Sequence, residues 1–124
     1  MNVIYPAICH YEDEGFWSEF PDLEGCFSQG NTEQEIIANS KESLEGYVIS
    51  LLEAGNTLPK ARSIKDITTP DDGFVTYIEG DISASSRHVR KNVTLPDWLS
   101  KKAEKEGVNF SQVLQEALKA RLAI

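Results

Sequence analysis

"SSRHVRKNVTLPDWLSKK", residues 85–102, holds five of the chain's twelve Lys and Arg residues, although the 124-residue chain as a whole carries a formal charge of −8. Inside it, residues 88–95 alternate as a strand does. Val89, Val93 and Leu95 share one face, with Lys91 as the exception, while His88, Arg90, Asn92 and Thr94 fall on the other. That second face has no apolar member, so it meets water or a polar partner. Pro96 suits the first turn of a helix, and 97–106 follows with Trp98, Leu99 and Ala103 on one side. Gly107 breaks this helix. Asn109 then caps a second one, with Gln112 at the position of a capping glutamine and an apolar stripe of Val113, Leu114, Ala117, Leu118 and Leu122.

A strand–helix–helix unit over 88–124 has 37 residues, and its single strand has no partner within the unit. Isolated domains below roughly 40 residues seldom fold unaided. Pairing with the same strand of a second copy removes both difficulties. Two antiparallel copies make a ribbon that presents Arg90, Asn92 and Thr94 twice about a two-fold axis. Such a ribbon fits the major groove of DNA, where arginine pairs with guanine and asparagine with adenine. Asn109, Phe110 and Ser111 would place backbone N–H groups at a helix start, a phosphate anchor. The plainer reading of the polar face is a solvated strand surface.

Charge divides the chain at the same place. Residues 1–86 hold four Lys/Arg against sixteen Asp/Glu, a balance of −12, whereas 87–124 hold eight against four, a balance of +4. Opposite signs suggest two partners of opposite charge. With 40% apolar and 26% charged residues the chain reads as soluble and globular. No apolar run approaches the roughly 18–20 residues that span a bilayer. The opening "MNVIYPAICHYEDEG" lacks a basic region before its short apolar stretch, so no signal peptide is expected and the protein reads as cytoplasmic. Cys9 and Cys26 read as small buried hydrophobes, and with His10 and His88 they are too scattered for a metal site. No cofactor is expected.

The front of the chain predicts an α+β layer pair in the order βββαβ. A strand over 2–11 puts Val3, Tyr5, Ala7 and Cys9 on one face. "EDEG" (12–15) turns the chain, with Gly15 as the candidate for the φ > 0 position. A second strand covers 16–20 up to Pro21, and a third covers 26–29. The period then becomes helical over 33–54, with Ile36, Ile37, Ser40, Leu44, Tyr47, Val48, Leu51 and Leu52 on one stripe. Thr32 and Glu35 form a capping-box pattern before it and Gly55 closes it. A fourth strand covers 74–82, and "SASS" (83–86) has linker composition. The predicted organisation is a front domain, 1–82, a linker, 83–87, and the basic module, 88–124.

Two stretches carry a resemblance. "VTLPDWLSKKAEKEGVNFSQVLQEALKARL" (93–122) resembles the ribbon-helix-helix DNA-binding domains of bacterial repressors. "YPAICHYEDEGFWSEFPDLEGCFSQGNTEQEIIANSKESLEGYV" (5–48) resembles HicB-family antitoxins, whose hallmark is this aromatic-acidic hairpin followed by "FPDLEGCFSQG" and an amphipathic helix. Lys91, where such strands bury an apolar residue, and Phe110, where a polar or basic one is common, depart from the ribbon-helix-helix pattern. The resemblance implies a truncated RNase H-like front domain that binds and silences a HicA-type toxin, an mRNA-cleaving ribonuclease. It also implies repression of the protein's own operon through operator DNA, by a homodimer formed through the C-terminal unit or by a tetramer. On this reading Glu12, Asp13, Glu14, Trp17, Glu19, Asp22 and Glu24 are the candidate toxin contacts, since an acidic surface complements a ribonuclease. The acidic residues read equally as a solvated hairpin, and Trp17 as an interface anchor or as core. The alternatives are a stand-alone repressor whose front domain senses a ligand, and a metal-dependent RNase H-like nuclease. No catalytic residue is assigned, because the carboxylates crowd one turn and no Ser, Cys or His stands in a nucleophile setting.

Overall fold

The computed structural model describes residues 1–85 and 89–123, and the chain forms two compact units, 1–87 and 88–124. The first contains β1 (Asn2–Glu12), β2 (Gly15–Glu19), β3 (Phe27–Gly30), α1 (Glu33–Glu53) and β4 (Gly73–Asp81). The four strands stand in the order β3-β2-β1-β4 with every neighbouring pair antiparallel. The βββαβ succession is therefore the one the periodicity predicts.

Alternation in β1 buries Val3, Tyr5, Ala7 and Cys9, and the first three meet Phe20, Leu23, Cys26 and Ile78 in one core cluster. From α1 the core takes Ile36, Leu44 and Val48, with Ser40 in the same row, so each contact is one helical turn from the next. Ile37 is 44% exposed instead of joining that stripe, because a helix lying flat on a sheet touches it along a narrow row. Ser40 is fully buried, and its Oγ stands 2.6 Å from the Oγ of Ser18 in β2, so two hydroxyls satisfy each other across the sheet–helix seam. Gly30 permits the close approach: a Cβ there would stand 2.6 Å from the Ile36 nitrogen. At the start of α1, Thr32 Oγ1 accepts the Glu35 N–H at 3.1 Å, and the Glu35 carboxylate accepts from Asn31 N–H at 2.7 Å. The capping box thus closes one residue further out than its usual form.

The β1–β2 turn differs from expectation. Asp13 and Glu14 are the two turn residues, with φ of 51° and 63°, while Gly15 pairs with Glu12 inside the ladder. A two-residue hairpin whose central positions both have φ > 0 matches the right-handed twist of its strands, so strand twist selects these positions whatever occupies them.

The long connection between α1 and β4 is pinned by three side chains. Tyr5 OH donates to the Pro59 carbonyl, and Tyr77 OH accepts the Ile64 N–H at 2.9 Å. Asp22 takes Arg62 Nε–H at 2.7 Å on one oxygen and Arg62 N–H at 3.1 Å on the other. After β4 the chain turns into a short helix, α2 (Ile82–Ser85), instead of leaving directly as linker. Asp81 causes this by accepting both the N–H and the hydroxyl of Ser83, an N-cap geometry, while Ile82 is buried. The rest of the linker segment, 86–87, lies outside the described residues, as does His88.

The second unit contains α3 (Asp97–Lys105) and α4 (Phe110–Leu122). Of the strand expected over 88–95, the described residues 89–95 carry no regular secondary structure. A strand exists through its ladder, and a single chain supplies no second strand to this segment.

Two outcomes test these local arguments. An L-residue in the left-handed region costs about 1–2 kcal/mol, and glycine's extra unfolded-state freedom returns roughly 0.5–1 of that. Glu14→Gly should therefore raise stability by about 0.5–1 kcal/mol in urea unfolding. Asp22→Ala should cost about 1–2 kcal/mol and speed hydrogen exchange over 59–64, leaving exchange in α1 unchanged.

Candidate interaction surfaces

The face of the sheet opposite α1 carries the side chains that alternate with the core. Register places His10 across from Trp17, and their rings stack with centroids 4.2 Å apart at 14°. Glu19, two residues along β2 from Trp17, brings Oε2 to 3.1 Å from His10 Nε2. Phe27 of β3 pairs with Glu19 and stands 6.4 Å from Trp17 while remaining 61% exposed. The result is an aromatic row across three strands with a carboxylate set in it. At one end of the row a cavity of about 390 Å3 is lined by Glu12, Asp13, Gly15, Phe16, Trp17, Gln29, Gly30 and Asn31.

The structure therefore gathers some of the sequence-chosen acidic residues and not others. Glu12, Asp13 and Trp17 line one cavity, and Glu14 sits exposed at the same turn. Glu19 belongs to the adjoining aromatic row. Asp22 stands apart: its side chain is 7% exposed against 51% for Arg62, and both its oxygens are engaged there. Glu24 is exposed but lies at the β2–β3 connection, where its carbonyl accepts from Tyr47 OH. Trp17 is half-buried on the outer sheet face, so of its two readings the core one does not hold. Sequence reasoning passed over His10 and Phe27. Their signal was the hairpin register, which becomes readable once the turn is known to be Asp13–Glu14.

The thiols lie in the core. Burial pushes both Cys9 and Cys26 up to about 11, which favours the protonated thiol at neutral pH. Tyr5 is likewise raised, first by burial and then by the charge of Asp22. Among the described residues no three His, Cys, Asp or Glu side chains converge as metal ligands do, and no helix is long and apolar enough to cross a membrane.

In the second unit residues 90–95 are all exposed, but they face two ways: Lys91, Val93 and Leu95 line an open cavity of about 370 Å3 with Leu99, Ala103 and residues of α4, and Arg90, Asn92 and Thr94 do not. The alternation expected of a strand is thus present without the strand. Asn109 Oδ1 accepts the Gln112 N–H at 3.1 Å, the N-cap that opens α4. Phe110 and Ser111 form the first turn and also line the cavity. Trp98, expected beside Leu99 and Ala103, is 68% exposed and outside it. None of the described residues of this unit is buried.

Comparison with known proteins agrees with this geometry. An uncharacterised 14.9 kDa protein from the rep-hol intergenic region of Haemophilus phage HP1 is 32% identical over 101 residues, covering 78% of this chain and 76% of that one. A chain of a toxin–antitoxin complex from Streptococcus pneumoniae superposes with a TM-score of 0.63 at 29% identity, over 98% of this chain and 99% of that one. A chain of a HicA3 and HicB3 toxin–antitoxin complex matches with a TM-score of 0.54 at 31% identity, over 64% of this chain and 99% of that one. Antitoxin HicB of Burkholderia pseudomallei, at 23% identity, shares the fold with a TM-score of 0.58 over 94% of this chain and 96% of that one. The model of the HicB-like antitoxins of bacterial toxin–antitoxin systems matches residues 5–118. The chain belongs to the HicB-like antitoxin family.

Proposed function

We propose that the two units divide the work of an antitoxin. The first unit binds and silences a HicA-type ribonuclease, and the second pairs with a second copy and represses the operon by binding operator DNA. The observation that carries the division is the contrast between the units. One, 1–87, is a complete core bearing −11; the other, 88–124, bears +3 and has no described residue buried. A unit of that kind reaches a folded core by closing its apolar cavity against another copy, which turns residues 89–95 into a ladder and leaves Arg90, Asn92 and Thr94 outward. Asn109, Phe110 and Ser111 then open α4 toward phosphate.

For the first unit, the partner chemistry follows from charge and from the aromatic row. An mRNA-cleaving enzyme presents positive charge to phosphates, and Glu12, Asp13, Glu14 and Glu19 answer it. Trp17 and Phe27 supply the apolar anchors such interfaces concentrate. Asp22 has the separate role of fixing the α1–β4 connection, and Glu24 stands at the rim. Solved complexes that pair a toxin with an antitoxin of similar fold support this assignment. The RNase H-like reading of the fold describes the layer arrangement and not a catalytic centre, since Asp22 is held by Arg62 and Glu19 by His10.

The deciding experiment mixes the purified chain with a HicA-type toxin and follows RNA cleavage, which the chain should abolish at stoichiometric amounts. Reversing Glu12, Asp13 and Glu14 together to Lys should lower the association rate at low salt, with the difference shrinking as salt rises. Stopped-flow measurement at two salt concentrations checks this, and unchanged association at low salt would place the contact elsewhere. For DNA, Arg90→Ala should cost roughly 1–3 kcal/mol per lost bidentate contact, symmetrically in both halves of a pseudo-palindromic site. Footprinting at matched salt reads the result.

A further inference from the structure

Lys91 is exposed in the single chain, yet it stands among apolar neighbours. It lines the same cavity as Val93, Leu95, Leu99, Val113, Leu114 and Ala117, and among the described lining residues it is the one charged side chain. Among the described residues no carboxylate lines that cavity. Of the unit's four acidic residues, Asp97 is paired with Lys101 at 3.0 Å and Glu116 accepts from Gln112 at 3.2 Å. In an antiparallel ribbon centred on Asn92, the middle of the polar trio, Lys91 falls opposite Val93 of the second copy and Val89 opposite its Leu95. Closing the cavity against that copy therefore takes two ammonium groups, one from each chain, toward an apolar seam.

We propose that Lys91 is a specificity-determining residue that holds the self-association of the C-terminal unit weak. The inference rests on the pairing proposed above. Removing an ammonium from water without a paired carboxylate opposes association, whereas an apolar side chain of similar length would favour it. The dimer accordingly forms only when the chain accumulates, or when a partner holding two copies raises their local concentration. Since the ribbon exists only in the dimer, DNA binding follows the amount of protein steeply. The residue acts through affinity between copies and not through contact with bases, because it lies on the face opposite Arg90, Asn92 and Thr94.

The test is the dimer dissociation constant of the full-length chain without DNA, from sedimentation velocity over a dilution series. Lys91→Met keeps the side-chain length and removes the charge, and it should tighten the dimer at least about tenfold. Lys91→Arg keeps the charge and should give no tightening. Circular dichroism confirms that α3 and α4 persist in each variant. An unchanged or weaker Lys91→Met dimer would mean the amine reaches water or a carboxylate of the second copy, and would overturn the proposal. Wild type and Lys91→Met both remaining monomeric at every concentration would overturn the pairing itself, and the role of Lys91 with it.

Discussion

At Gly30 the backbone of β3 meets the first turn of α1 so closely that an added Cβ would stand 2.6 Å from the Ile36 nitrogen. The Thr32 cap fixes the direction in which α1 leaves that contact. The row Ile36, Ser40, Leu44 and Val48 then runs along the sheet to β4, where the Leu44 side chain lies 3.4 Å from the Cβ position of Gly80. Because both ends of the crossing are held at glycines, the Ser18–Ser40 hydrogen bond falls between them at 2.6 Å. Lifting the helix would leave two hydroxyls unsatisfied in an apolar core, so its depth is set by polar as well as apolar contact. With one face so covered, the aromatic row of His10, Trp17 and Phe27 is left for whatever binds from outside.

Much of this was legible in the residues. The change from a two-residue to a helical period marks the step from β3 to α1, and Thr32 and Glu35 mark its start. The buried face of β1 is the alternation read directly. What escaped needed information that is not local. The turn at Asp13–Glu14 is chosen by strand twist and register, so a glycine one position away misleads. His10 counted only among residues too scattered for a metal site, until pairing put Trp17 across from it. Asp22 looked like one more surface carboxylate, since Arg62 lies forty residues further along the chain.

The C-terminal segment fails differently. Residues 88–95 alternate as a strand, and the described ones keep the facing without the ladder. On the pairing proposed above, the pattern there belongs to an assembly of which one chain holds half the hydrogen-bond partners. α2 shows the converse, a local device overriding composition: serines at 83 and 85 suggest a flexible joint, yet Asp81 caps a helical turn. Side chains that see only their neighbours are read well from sequence, and those whose partner lies on another strand or another molecule are not.

Cys9 and Cys26 are both enclosed between sheet and helix, and burial holds each thiol protonated. A thiol reagent in solution consequently reacts with the first unit only while α1 and the sheet have parted. The labelling rate of these two cysteines is thus a clock of core opening, one that needs no added probe. The C-terminal unit contains no cysteine, so the labelling reports on the front unit alone.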